Sequence, residues 1–147
     1  MHVLSLCSGA GGLDLGLQIA MPCVRTIGLV ERDAFAAAIL VARMHDRSLD
    51  DAPIWDDVGT FDGRPWRGAV DIVIAGYPCQ PFSVAGKRLG AEDPRHLWPH
   101  VARVIGECKP PFVFLAKVAH HLSLGFPEVG CGLVCMGYKL AAGLFTA

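Results

Sequence analysis

Charge is scarce in this chain of 147 residues. Charged side chains make up 18%, and 13 Lys and Arg against 14 Asp and Glu leave a net charge of −1, so any contact with a polyanion must be local rather than global. Long clean apolar runs are missing as well. The longest uncharged stretch, Ile72 to Gly86, is broken by Pro78 and Pro81 and carries Gln80 and Ser83, which excludes a membrane span. The first residues, Met1 to Cys7, lack a charged n-region and run into glycines. They do not read as a signal peptide, and the expected compartment is the cytoplasm. Matched cysteine pairs are also lacking. Cys131 and Cys135 form a single pair in a helix-like stretch, and neither His96 with His100 nor His120 with His121 completes a zinc pattern, so packing is expected and no metal. Without an export signal, Cys7, Cys23, Cys108 and Cys135, which lie in apolar surroundings, are expected to be buried reduced thiols. Repeats and low-complexity tracts are absent.

Apolar residues are plentiful instead. They make up 52% of the chain and mean hydropathy is +0.41, which excludes disorder and suits one folded domain with more oil than usual. Short runs at His2–Cys7, Thr26–Val30, Val70–Ala75 and Phe112–Leu115 read as buried parallel strands. Between them Leu13–Ala20, Ala34–Met44 and Leu97–Cys108 show helical spacing, with Asp33 placed to cap the second. The alternation predicts an open, mostly parallel α/β sheet that binds ligands at the carboxyl ends of its strands. Arg47–Pro53 and Gly59–Gly68 read as surface connections, and Leu140–Ala147 as a strand-like run that invites association.

Two segments carry chemistry. Ser8-Gly9-Ala10-Gly11-Gly12 follows the first strand and opens the first helix, where glycines permit positive φ and the helix N-terminus offers free N–H groups to a ligand. Nineteen positions after Gly12 comes Glu31, at the end of the second strand, the place from which a carboxylate takes the two hydroxyls of a ribose. Taken alone, a glycine turn and a solvated acid would mean little. The strand–loop–helix setting and the downstream acid favour a nucleoside-containing cofactor, and the Gly-x-Gly-Gly spacing disfavours a nicotinamide dinucleotide. Asp56-Asp57-Val58, after a third strand, could accept from an adenine amino group, although such a pair is more often a turn. The second segment is Gly76-Tyr77-Pro78-Cys79-Gln80-Pro81-Phe82-Ser83. Two prolines hold one cysteine rigidly at the carboxyl edge of the sheet, which makes Cys79 a nucleophile candidate. Lys87 and Arg88 follow in a glycine-punctuated loop, placed to lower a thiol pKa or touch phosphates, or simply to be solvated. A cysteine–histidine hydrolase is the other chemistry Cys79 allows, but nothing selects His96 or His100 as its base.

In this order the motifs resemble the N-terminal half of the catalytic domain of DNA (cytosine-5)-methyltransferases, across essentially the whole chain. Ser8–Gly12 is similar to the family's first motif, Glu31 to its second, Asp57-Val58 to its third, and Pro78–Ser83 to its nucleophile motif. The resemblance implies a Rossmann-like methyltransferase fold and S-adenosylmethionine held by Cys7, Ser8, Gly9, Ala10, Gly11, Gly12, Leu13, Glu31, Arg32, Asp57, Val58, Gly76, Pro78 and Leu97. It implies that Cys79 attacks a cytosine flipped out of double-stranded DNA, with Gln80, Ser83, Lys87 and Arg88 on the DNA.

Three departures stand out. Where the family has Glu-Asn-Val after the strand matching Phe112–Leu115, this chain has Ala116-Lys117-Val118, without the carboxyl group that protonates cytosine N3. Cys7 stands where the family usually has phenylalanine. The family also continues into an arginine-rich motif, a target recognition region and a closing helix. Residues 1–147 are therefore expected to be a partial catalytic domain, impaired in activity, poorly soluble or self-associating, or completed by a second polypeptide. The alternative is a noncatalytic remnant that binds cofactor or DNA without methyl transfer.

Overall fold

The computed structural model describes residues 1–77, 97–116 and 126–143. Five parallel strands form one sheet in the order β3-β2-β1-β4-β5. They are β1 (His2–Leu6), β2 (Arg25–Val30), β3 (Ile54–Trp55), β4 (Ile72–Ala75) and β5 (Phe112–Leu115). Helices α1 (Gly12–Ala20) and α2 (Ala34–His45) connect the first three strands, α3 (Trp98–Cys108) precedes β5, and α4 (Phe126–Cys135) follows it. The chain steps outward from β1 to β3, then returns to place β4 on the other side of β1. The order reverses between β1 and β4, and in open sheets the crevice outside such a reversal is where ligands bind.

Strand periodicity explains the two-faced core. In β1 and β4, Leu4, Leu6, Val73 and Ala75 point to one face and pack with Val101, Val104, Ile105 and Cys108 of α3 and Val129 and Leu133 of α4. Val3, Ile72 and Ile74 point to the other, under Leu13 and Leu17 of α1. A third cluster, Leu29, Leu40, Leu49 and Ala52, seats α2. Asp33 caps α2 as expected, its Oδ1 accepting the Ala36 N–H at 2.8 Å.

Four expectations need correction. Arg47–Pro53 and Gly59–Gly68 are not mere surface connections, because Leu49, Ala52 and Phe61 are core residues. Isolated apolar residues in polar loops show no periodicity, so only tertiary packing reveals them. Val70 belongs to a turn, its N–H bonded to Trp66 O at 3.2 Å, and β4 begins at Ile72. Cys23 and Cys135 are exposed, as is Cys131, and Cys7 is half-buried, leaving Cys108 as the buried thiol among these. Apolar sequence neighbours spread around a helix or turn without covering one another, which is why they gave no cover here. Residues 140–143 form no strand. Among the described residues no helix is long and apolar enough to cross a membrane.

Candidate functional site

The carboxyl ends of β1, β2, β3 and β4 gather most of the predicted residues. Leu6 pairs with Val30 on one side and Ala75 on the other, so the chain leaving β1 emerges between the ends of β2 and β4. It turns sharply. Cys7, Gly9 and Gly11 adopt φ of 52, 55 and 75°, a left-handed conformation that favours glycine and is uncommon for a side chain such as that of Cys7.

Hydrogen bonds pin this loop. Ser8 N–H donates to Val30 O at 3.1 Å, its hydroxyl donates to Ser5 O at 3.1 Å, and Gly11 N–H donates to Ser8 O at 3.0 Å. Ser8 is buried, so its hydroxyl serves the loop rather than a ligand. Glu31 completes the brace: Oε2 accepts the Gly9 N–H and Oε1 the Asp33 N–H, both at 2.7 Å. A carboxylate offers about four acceptor positions, so Glu31 keeps capacity for two further donors.

Among the described residues, a Cβ built on Gly9 or Gly12 would meet nothing within 4 Å, whereas one on Gly11 would lie 2.5 Å from Leu49 Cδ1 and 2.9 Å from Leu40 Cδ2. Gly11 is thus required by packing, and at Gly9 and Gly12 no described side chain covers the backbone leading into α1, whose cap position, Gly11, has no side chain to bond the first N–H groups. Ala10 and Arg32 are exposed, and Leu13 is half-buried against the face under α1.

Asp57 lies one strand further out. Glu31 N–H bonds Trp55 O at 2.9 Å, which sets the end of β3 beside Glu31. Asp57 then closes a turn, its Oδ1 accepting the Gly59 N–H at 2.7 Å and its carbonyl accepting from Thr60 and Phe61 at 3.1 Å. The turn that sequence reasoning weighed against a ligand role is therefore real, and the half-buried carboxylate sits on it. Val58 is a core residue, so any contact it makes with a ligand is through its backbone.

Gly76 follows β4, its N–H 3.4 Å from Leu6 O, and an added Cβ would approach Cys7 O at 3.8 Å. Leu97 is half-buried against the main core at the start of α3. Ala116 closes β5, its N–H bonded to Ala75 O at 3.1 Å. Pro78, Cys79, Gln80, Ser83, Lys87, Arg88 and Lys117 lie outside the described residues, as do His96, His120 and His121.

Three polar residues were not singled out by sequence. Asp14 is 1% exposed in the first turn of α1, where its carboxylate accepts from Ser5 Oγ at 2.8 Å and Thr26 Oγ1 at 3.2 Å. Burial pushes its pKa up against the opposing effect of those donors. A lone Ser in an apolar strand was the signal that something polar faced it. Arg103 and Glu107 of α3 hold the turn after Asp57, and nothing in an amphipathic helix announces such partners. Cys108 is pushed up to about 11, chiefly by burial, and donates to Gly63 O, so it is an inert thiol.

The five-stranded parallel sheet with its reversal between β1 and β4 is a Rossmann-like α/β fold, the fold of solved methyltransferases. Spodoptera frugiperda DNMT2 is similar with a TM-score of 0.63 at 18% identity, over 92% of this chain and 40% of that one. S. pombe Dnmt2 is similar with a TM-score of 0.64 at 19% identity, over 92% of this chain and 41% of that one. The family described as C-5 cytosine-specific DNA methylase matches residues 1–123, and the chain belongs to that family. Among curated relatives, the Type II methyltransferase M.PspPI of Psychrobacter sp. is 43% identical over 116 residues, 78% of this chain and 26% of that protein. M.NgoMIV of Neisseria gonorrhoeae is 36% identical over 115 residues, 78% and 35%. The matched chain thus spans about a quarter to a third of the length of these two relatives.

Proposed function

We propose that residues 1–147 act as the cofactor-binding and nucleophile-bearing part of a DNA (cytosine-5)-methyltransferase, working on duplex DNA in a restriction–modification setting. The observation that carries this reading is the glycine loop braced by Glu31 at the reversal between β1 and β4. S-adenosylmethionine would supply an electrophilic sulfonium methyl group. Gly9 and Gly12 give it backbone access, Glu31 accepts from its ribose hydroxyls, and Asp57 accepts from its adenine amine.

Cys79 is the catalytic residue. Its thiolate adds to C6 of a flipped cytosine, which pushes electron density to C5. C5 would take the methyl group as the methyl–sulfur bond of the sulfonium breaks and the neutral thioether leaves, the C5 proton would go to a base, and re-formation of the C5–C6 double bond would expel the thiolate. Gln80, Ser83, Lys87 and Arg88 are the proposed DNA contacts, with phosphates met by the basic pair. A complementing polypeptide is a further proposed partner.

Ala116 favours a second reading. Addition at C6 loads negative charge onto the ring, and a side chain at the end of β5 that cannot donate a proton forfeits general acid help, typically worth about 10²–10⁴ in rate. On this reading the chain binds cofactor without transferring methyl groups. Duplex DNA containing 5-fluorocytosine separates the two, because fluorine blocks the final elimination and traps the thiol adduct. A slow, cofactor-dependent adduct that Cys79→Ser abolishes is the expected result. No adduct at high protein concentration, with S-adenosylhomocysteine still bound, selects the noncatalytic reading.

A further inference from the structure

We propose that Arg103 is a positioning residue for cofactor recognition, acting from α3 through the Asp57–Gly63 turn to aim the Asp57 carboxylate at the adenine amine. The role rests on the cofactor reading above. Arg103 Nη2 donates to Val58 O at 2.8 Å and Gly59 O at 3.3 Å, and Nη1 donates to Phe61 O at 2.9 Å. Three carbonyls of a single turn, more than 40 positions away in sequence, converge on one guanidinium. Nη1 also meets both carboxylate oxygens of Glu107 at 2.9 Å, and Glu107 Oε2 accepts the Gly63 N–H at 2.8 Å. Helix α3 therefore grips the turn at both ends.

The link to Asp57 runs through one residue. Gly59 gives its N–H to Asp57 Oδ1 at 2.7 Å and its C=O to Arg103, so the guanidinium fixes the residue that orients the carboxylate. The space is tight there as well, since a Cβ on Gly59 would lie 3.1 Å from Asp57 Oδ1 and 3.7 Å from His100 Cε1. A guanidinium suits the task because it presents five donors in a rigid planar fork, which an ammonium group does not. An isolated Arg103–Glu107 pair one helical turn apart would contribute only a few tenths of a kcal/mol, so the ion pair alone does not account for an arginine here.

Two readouts on the whole chain test the role. The first is calorimetric binding of S-adenosylhomocysteine against S-inosylhomocysteine, whose base carries a carbonyl in place of the amine. The wild-type chain is expected to prefer the adenosyl ligand by about ten-fold or more, the usual worth of a hydrogen bond to a charged group. Arg103→Lys and Arg103→Gln are expected to weaken adenosyl binding by a similar factor while inosyl binding changes little, so the preference collapses. The second is hydrogen exchange in the free chain, where the same variants are expected to speed exchange of the Gly59–Gly63 amides and leave those of β1 and β4 protected. Glu107→Gln, which keeps an acceptor for Gly63, is a milder second variant expected to narrow the preference by a smaller factor. A preference retained in both Arg103 variants, or unchanged exchange at Gly59–Gly63, overturns the role. A wild-type chain that binds neither ligand overturns the cofactor reading, and the role with it, before any variant is made.

Discussion

The two edges of the sheet differ in kind. At one edge β3 is two residues long and is flanked by Asp50, Asp51, Asp56 and Asp57. A short strand dressed in carboxylates is a blunt edge that resists pairing with another chain. At the other edge β5 is four uncharged residues, and Phe112 and Phe114 are 58% and 48% exposed on the face that α1 covers only further in. In register they continue the row of Ile72 and Ile74, which are buried. Among the described residues, the comparison teaches that charge and hydrogen-bonding capacity are concentrated on the β1–β3 side, where the cofactor would sit. The β4–β5 side, where the base would be handled, has an apolar rim and an alanine at its end.

The largest expected effect tests that poverty directly. Ala116→Glu combined with Lys117→Asn restores a proton donor at the end of β5, and adduct formation with 5-fluorocytosine DNA is expected to rise by about 10²–10⁴. Quantitative denaturing gels of the trapped complex measure it. An unchanged rate would mean that the alanine is not what limits the β5 side.

On the β1–β3 side, Gly11→Ala should be costly because both the backbone and the packing object. The left-handed φ of 75° and a Cβ 2.5 Å from Leu49 Cδ1 together predict a loss of roughly 2–4 kcal/mol. Chemical denaturation reads it, and Gly12→Ala, whose Cβ meets no described residue within 4 Å, should lose far less stability.

The apolar rim makes a third, smaller prediction. Replacing Phe112 and Phe114 by Thr keeps strand propensity and removes exposed aromatic surface. Concentration-dependent association in analytical ultracentrifugation should fall, while matched changes at Trp55, 49% exposed beside the charged edge, should matter less. Equal effects at the two edges would erase the contrast.

How much of this was legible in the sequence follows the same divide between regular and irregular backbone. Strand β5 matches its apolar run residue for residue, and the first three helices end within one residue of their expected limits, because periodicity and caps such as Asp33 are local signals. The glycine loop and Glu31 were legible as a pair by spacing, and the geometry adds the direct Gly9 contact. Leu49 and Phe61 were not legible, since each is one apolar residue in a polar stretch, buried only because α2 or α3 returns over it. Arg103 escaped for the same reason: its three carbonyl partners are distant in sequence and carry no side-chain signature.

The smallest expected effect concerns Asp14, the carboxylate buried between α1 and the strands β1 and β2. Burial raises its folded pKa above the ordinary 3.8, so the folded chain holds that proton more tightly than the unfolded chain does. Stability from this group is then greatest at low pH, falls as pH rises from about 3.8 through the raised value, and is level above it. Asp14→Asn abolishes the titration while leaving polar atoms for Ser5 and Thr26. The stability of the variant minus that of the wild type is therefore expected to climb across that window, with the other carboxylates cancelling in the difference. A difference that falls with rising pH would mean that the bonds from Ser5 and Thr26 outweigh the cost of burial. In that case Asp14 would strengthen the contrast between the two sides of the sheet, as one more carboxylate that the β1–β3 side holds in its charged form.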